Sequence, residues 1–62
     1  MAVQVGSVYS IFEGHGIEKI GKVKTINPNG TCIVSWDDGI NTIEHIKTVE
    51  MQIQKNKEIY ME

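Results

Sequence analysis

Arginine is missing from this 62-residue chain: all six basic residues are lysine, against eight acidic residues, for a formal charge of −2. Recognition of phosphates and base edges draws on the planar fork of arginine, and nucleic-acid binders usually carry a strongly basic footprint. Composition therefore argues against nucleic acid as the main partner. Cysteine is nearly missing too. The single Cys32 leaves no internal disulfide, and a reducing compartment is the natural expectation. The start, Met1-Ala2-Val3-Gln4-Val5, has neither a basic segment nor a long apolar run. Neither a signal peptide nor a membrane segment is expected, and the chain reads as soluble and cytoplasmic, or nuclear in a cell that has a nucleus.

Close ligand spacing is also lacking. His15, His45 and Cys32 form no pair of the C-x₂₋₄-C or H-x₃₋₅-H kind, so no metal or cofactor is expected. A Cys32–histidine nucleophile is equally weakly supported. The length allows one domain, 1–62. Such a domain buries only roughly 60% of its unfolded surface and leaves few residues to line a pocket of about 300 Å³ or more. No enzyme is expected, unless subunits build a shared site. Repeats, low-complexity stretches and linkers are not found.

What is present is a series of short apolar runs divided by glycine and asparagine signals, the pattern of an all-β sandwich or barrel. Ser7 to Phe12 is the first run, followed by the flexible turn Gly14-His15-Gly16. Ile17 to Ile26 is the second. By the period of two, Ile17, Lys19, Gly21, Val23 and Thr25 share one face, and Ile20, Lys22, Lys24 and Ile26 the other. The interior Gly21 is expected to mark a bend or bulge. Asn27-Pro28-Asn29-Gly30 is a hairpin signal. Thr31 to Trp36 reads as the central strand, Asp37-Asp38-Gly39 as a tight turn and Asn41 to Ile46 as a fourth strand. Val49, Met51 and Ile53 then alternate with polar residues, which predicts a closing strand from Val49 to about Gln54. The alternative is a C-terminal helix, because Ile46, Val49, Ile53 and Tyr60 lie near one helical face and Glu, Met, Gln and Lys favour helices. Lys55-Asn56-Lys57 reads as a turn, and Glu58 to Glu62 as an edge pairing or a frayed end.

In this order the runs resemble Tudor-type domains. Gly6-Ser7-Val8-Tyr9-Ser10-Ile11-Phe12 looks like their first strand, Gly21-Lys22-Val23-Lys24-Thr25-Ile26 like their second, and Thr31 to Asn41 like their strand, turn and strand. The similarity covers roughly Gly6 to Val49, and KOW-type and other SH3-like barrels share much of it. It implies a small five-stranded antiparallel SH3-like (Tudor-like) barrel over about residues 5–54, with an extension at 55–62 that forms a short helix or an extra edge strand. It also implies a cage for methylated lysine or arginine, working by cation–π attraction. Two cage positions fall on Phe12 and Trp36. The other two fall near Lys19 and within Asp38-Gly39-Ile40, where no aromatic stands, so at most half a cage is present, with Tyr9 as a substitute.

Each singled-out residue has a plain reading beside its functional one. Trp36 and Phe12 are core or barrel-rim packing, or a binding platform. Tyr9 is expected in the core. Asp37 and Asp38 serve the turn or attract a cationic side chain beside Trp36. Cys32, which alternates with Val34 and Trp36, is a small core residue. The lysines Lys19, Lys22 and Lys24 are a solvated strand edge or a local phosphate-contacting patch. The expected function is a non-enzymatic protein–protein interaction module. Its surface is formed by Phe12, Trp36, Asp37, Asp38, Tyr9 and His15, and its partner is a basic or methylated protein segment. Nucleic-acid or transcription-machinery binding through Lys19, Lys22 and Lys24 is the alternative, and a structural homo-oligomer using strand edges is a third.

Overall fold

The computed structural model describes residues 3–60, without the side chains of His15, Ile59 and Tyr60. The expectations for the His15 side chain, for Tyr60 on a helical face and for residues 61–62 of the extension therefore lie outside the described residues.

Four strands form in the order they were expected. β1 spans Val8–Glu13, β2 Ile17–Ile26, β3 Thr31–Trp36 and β4 Asn41–His45. They make an antiparallel meander with sheet order β1-β2-β3-β4. A short 3-10 turn, Gly14–Gly16, joins β1 to β2. The β2–β3 turn is held by asparagine side chains: Asn29 Oδ1 accepts from the Thr31 hydroxyl at 2.6 Å and from its N–H at 3.3 Å, while Asn27 Nδ2 donates to that hydroxyl at 3.0 Å. The β3–β4 turn closes through Gly39, whose φ of 86° is one that an L side chain rarely adopts. There Asp38 Oδ1 accepts the Ile40 N–H at 3.1 Å, the local bonding that makes aspartate a turn residue.

The sheet does not close into a barrel, and there is no fifth strand among the described residues. The closing strand expected at Val49–Gln54, the turn expected at Lys55–Lys57 and the edge pairing or frayed end expected from Glu58 are instead, as far as Tyr60, parts of a helix, α1, Ile46–Tyr60, whose first residue, Ile46, was expected to end the fourth strand. The segment contains no glycine or proline, and its apolar residues satisfy two periods at once. A strand would have placed Val49, Met51 and Ile53 on one face. The helix gathers Ile46, Val49 and Ile53 over the core and leaves Met51 62% exposed. Three apolar residues on one stripe, rather than two plus a methionine, is the arrangement that tertiary packing rewards. The helix contacts the two edge strands, β1 and β4, and so covers the sheet face that a fifth strand would have helped to enclose.

The core consists of Val3, Tyr9, Val23, Cys32, Val34, Trp36 and Val49, with Ile11, Ile46 and Ile53 packed against it. Val23, Val34 and Val49 are each at most 1% exposed; a fully buried side chain of this kind is worth about 1.5–3 kcal/mol. Strand β3 shows the cleanest alternation, with Cys32, Val34 and Trp36 facing in. The register of β2 on β3 slips between Val23 and Thr25, which makes Lys24 the extra residue of a bulge. The irregularity is thus not at Gly21, and beyond it Thr25 pairs with Ile33 on the outer face rather than continuing the face of Val23. No helix among the described residues is long and apolar enough to cross a membrane.

Candidate interaction surface

Tyr9, Gly21 and Trp36 lie in one row across β1, β2 and β3. Gly21 is there because nothing larger fits. A Cβ on it would come within 2.7 Å of Val34 Cγ1 and within 2.8 and 2.9 Å of the Trp36 ring, closer than real Cβ contacts. The missing side chain leaves room for the indole against Gly21 of β2. Tyr9 meets it edge-on, with ring centroids 5.5 Å apart at 72°, a favourable aromatic geometry. The indole Nε1–H donates to Thr42 Oγ1 at 2.7 Å, and that hydroxyl donates to Glu44 Oε2 at 2.7 Å. Burial, with help from Glu44 and Cys32, pushes the Tyr9 phenol up to about 12. Burial and then Glu44 likewise push the Cys32 thiol above its ordinary value, which keeps this core thiol protonated and unreactive.

Lys19 completes the enclosure of Trp36. Its Nζ stands 5.2 Å from the ring centroid, within cation–π range. It also pairs with Asp38 at 3.1 Å and Glu13 at 3.6 Å. The Asp38 carboxylate, hydrogen-bonded to it, holds the Lys19 ammonium above its usual range. The Ile40 N–H, followed by Lys19, holds the Asp38 carboxyl below the usual carboxylate range. Lys19 thus ties the β1–β2 connection to the β3–β4 turn, and the chain's own ammonium occupies the Trp36 face on which a cationic ligand would sit.

The residues singled out in the sequence do not form one surface. Trp36 and Tyr9 are 6% and 5% exposed and belong to the core. Phe12 is 52% exposed and pairs with Glu18 on the opposite face of the sheet, so its ring does not converge with that of Trp36. Asp37 and Asp38 are exposed in their turn. The lysines are divided as well. Lys19 lies on the helix-covered side, while Lys22, opposite Val8 and Ser35, lies on the outer face, and Lys24 sits in the bulge. The three make no common patch.

What the sheet brings together is its loop end, where β1 stops, β2 starts, β3 stops and β4 starts. Phe12, Ile17 and Ile40 stand there at 52%, 61% and 54% exposure, Phe12 on the outer face and Ile17 on the face of Lys19 and Gly21, so they flank the end from both sides. With them are four acidic residues, Glu13, Glu18, Asp37 and Asp38, against one lysine, Lys19. Ile17 and Ile40 escape a sequence reading centred on aromatics. Their available signal is position, since each directly follows a turn glycine, Gly16 or Gly39. No protein-family model, curated protein or solved structure matches the chain.

Proposed function

We propose that this chain is a non-enzymatic protein-interaction module. In this reading it is an SH3-like, Tudor-like meander in which α1 takes the place of the closing strand. It docks a basic and apolar protein segment at its loop end. The observation that carries the reading is the set of three large apolar side chains, Phe12, Ile17 and Ile40, left in water on an end where acidic residues outnumber basic ones four to one among residues 12–20 and 36–40. Exposed apolar groups rimmed by charge are a common mark of a docking site. Turns braced by a rigid scaffold are a common place for one. The brace is the buried Trp36 with its Tyr9, Thr42 and Lys19 contacts.

Apolar burial on Phe12, Ile17 and Ile40 would supply affinity, and Asp37 with its acidic neighbours would steer a lysine- or arginine-bearing segment. A methylated ammonium is not the preferred ligand, because Lys19 already fills the Trp36 face. The buried, unpaired Cys32 thiol suits a reducing compartment such as the cytoplasm.

Selection from a random-peptide display library tests the proposal. Enriched peptides are expected to place lysine or arginine beside a large apolar residue, and Phe12→Ala is expected to weaken them at least about tenfold, the effect of losing one anchor side chain. Phe12 is exposed, so the folded state of the variant is checked simply by its near-UV dichroism. Equal binding by Phe12→Ala and Ile40→Ala, or enrichment of acidic peptides, would sink the idea.

A further inference from the structure

The two edges of the sheet are treated differently. On β1 the outward backbone groups of Ser10 are taken by α1: Asn56 Oδ1 accepts the Ser10 N–H at 2.8 Å, and Asn56 Nδ2 and Gln52 Nε2 donate to its carbonyl at 3.1 and 3.3 Å. Among the described residues the β4 edge has no such cover. At its ends Trp36 N–H donates to the Ile40 carbonyl at 2.9 Å and Ile46 N–H to the Gly30 carbonyl at 3.0 Å. The two-residue alternation of an antiparallel ladder then assigns Thr42 and Glu44 to β3. Asn41, Ile43 and His45 point their N–H groups, and Asn41 and Ile43 their carbonyls, away from the sheet. Among the described residues none is bonded to these outward groups of Asn41 and Ile43. Native edges are usually blunted by lysine, proline, a bulge or a covering element. Asn41–His45 contains no lysine or proline, pairs with β3 in unbroken register, and carries Ile43 at 70% exposure, the most exposed large apolar residue described. Helix α1 meets β4 as well as β1, but among the described residues none of its groups is bonded to Asn41 or Ile43.

We propose that β4 is a self-pairing edge that joins two copies of this chain into one continuous antiparallel sheet. The occupant is a second copy because the strand is complementary to itself about Ile43. In that register the Ile43 N–H and carbonyl exchange hydrogen bonds with Ile43 of the second copy, and each His45 N–H reaches the Asn41 carbonyl opposite. On the outer face the two Ile43 side chains meet, the aliphatic pairing that stabilises cross-strand neighbours. On the helix-covered side Thr42 faces Glu44 of the second copy, so the only charge on the strand does not directly oppose its own kind. The interface is distinct from the loop end proposed for partner docking. Because the pairing is antiparallel, it would set two loop ends at opposite poles of the dimer, a bivalent arrangement.

Sedimentation of the full chain at concentrations up to about 1 mM, the weak end of measurable association, tests the proposal. The mass is expected to rise from 7.0 kDa toward twice that value, and Ile43→Lys is expected to hold it at the monomer with unchanged near-UV dichroism. Ile43→Pro removes an outward N–H and no group that bonds β3, so it is expected to do the same, with unchanged near-UV dichroism showing that the edge accepts the fixed φ of proline. Amide exchange gives a second readout: protection of the Ile43 and His45 N–H groups is expected to rise with protein concentration. A chain that stays monomeric throughout, or a dimer that survives Ile43→Lys and is lost in Phe12→Lys, overturns the proposal. Loop-end docking is judged separately, since Ile43→Lys is expected to leave peptide binding unchanged.

Discussion

Asn56 and Ser10, 46 residues apart, are paired as if Asn56 were part of a strand: its Oδ1 accepts the Ser10 N–H at 2.8 Å and its Nδ2 donates to the Ser10 carbonyl at 3.1 Å. A side-chain amide carries one acceptor and two donors, and here it answers both backbone groups of an edge residue. This is how a helix substitutes for the missing fifth strand. It supplies apolar contacts through Val49 and Ile53 and edge hydrogen bonds through Asn56 and Gln52.

Replacing Asn56 with alanine is therefore expected to cost more than an ordinary surface change. Ser10 is 7% exposed, and its N–H would be left without a partner in a poorly hydrated place, at about 1–3 kcal/mol. For a domain of this size that corresponds to a fall of roughly 4–8 °C in Tm per kcal/mol. Asn56→Asp, which keeps the acceptor but sets a carboxylate against the Ser10 carbonyl, is expected to be no better than alanine. A thermal melt of each variant decides the matter, and a Tm within a degree of the parent would remove the edge role assigned to Asn56.

Gly21→Ala is the second expected failure, and it arises from crowding. The added Cβ would lie 2.7 Å from Val34 Cγ1 and 2.8 Å from the indole, and neither neighbour has room to move, since Val34 is 0% exposed and Trp36 6%. Overpacking of this kind costs about 1–3 kcal/mol. Because the indole itself must shift, loss of stability should come with a changed Trp36 emission and near-UV signal. Gly14→Ala, where a Cβ meets nothing within 4 Å, is the control and is expected to leave both unchanged.

The sheet was largely legible in the sequence and the closing element was not, for identifiable reasons. Thr31–Trp36 announces itself through β-branched residues and an Asn29-Gly30 turn. Val49 and Ile53 fit a strand and a helix equally well, and only Ile46 and Met51 separate the two. The residues that favour the helix in place, Gln52 and Asn56, act on a backbone more than 40 residues away in sequence, and no local pattern shows that. The separation of Phe12 from Trp36 was hidden for a different reason. Tyr9 and Phe12 are three apart on one strand, so they face opposite ways, and burying Tyr9 already sends Phe12 outward. The resemblance to an aromatic cage drew Phe12 and Trp36 together, whereas the alternation set them apart. Lys19 was noted as a poor cage residue, and its position over Trp36 with Asp38 and Glu13 explains why a lysine stands there.

Stability should also fall at both ends of the pH scale, through different residues. Asp38 has a depressed pKa in the folded chain, chiefly through the Ile40 N–H and then Lys19. Its contribution is present above the unfolded value of about 3.9 and is lost as pH drops through the lower folded value. Asp38→Asn keeps an acceptor for Ile40 but no charge, so it is expected to make the acid limb of a Tm-against-pH curve shallower. Tyr9 runs the other way. Its folded pKa is raised to about 12 by burial first, then by Glu44 and Cys32. Its contribution is complete below the unfolded value of about 10 and is lost as pH climbs through the folded value. Lys19, also raised, adds to the same alkaline limb. Tyr9→Phe is expected to weaken that limb while leaving the acid one alone. Phenolate absorbance followed during an alkaline titration of Tyr60→Phe protein, whose one remaining tyrosine is Tyr9, gives the direct check. Tyr9 should ionise only near pH 12, and its ionisation near pH 10 in protein that is still folded would show that its ring is not enclosed by Trp36 and the core as described.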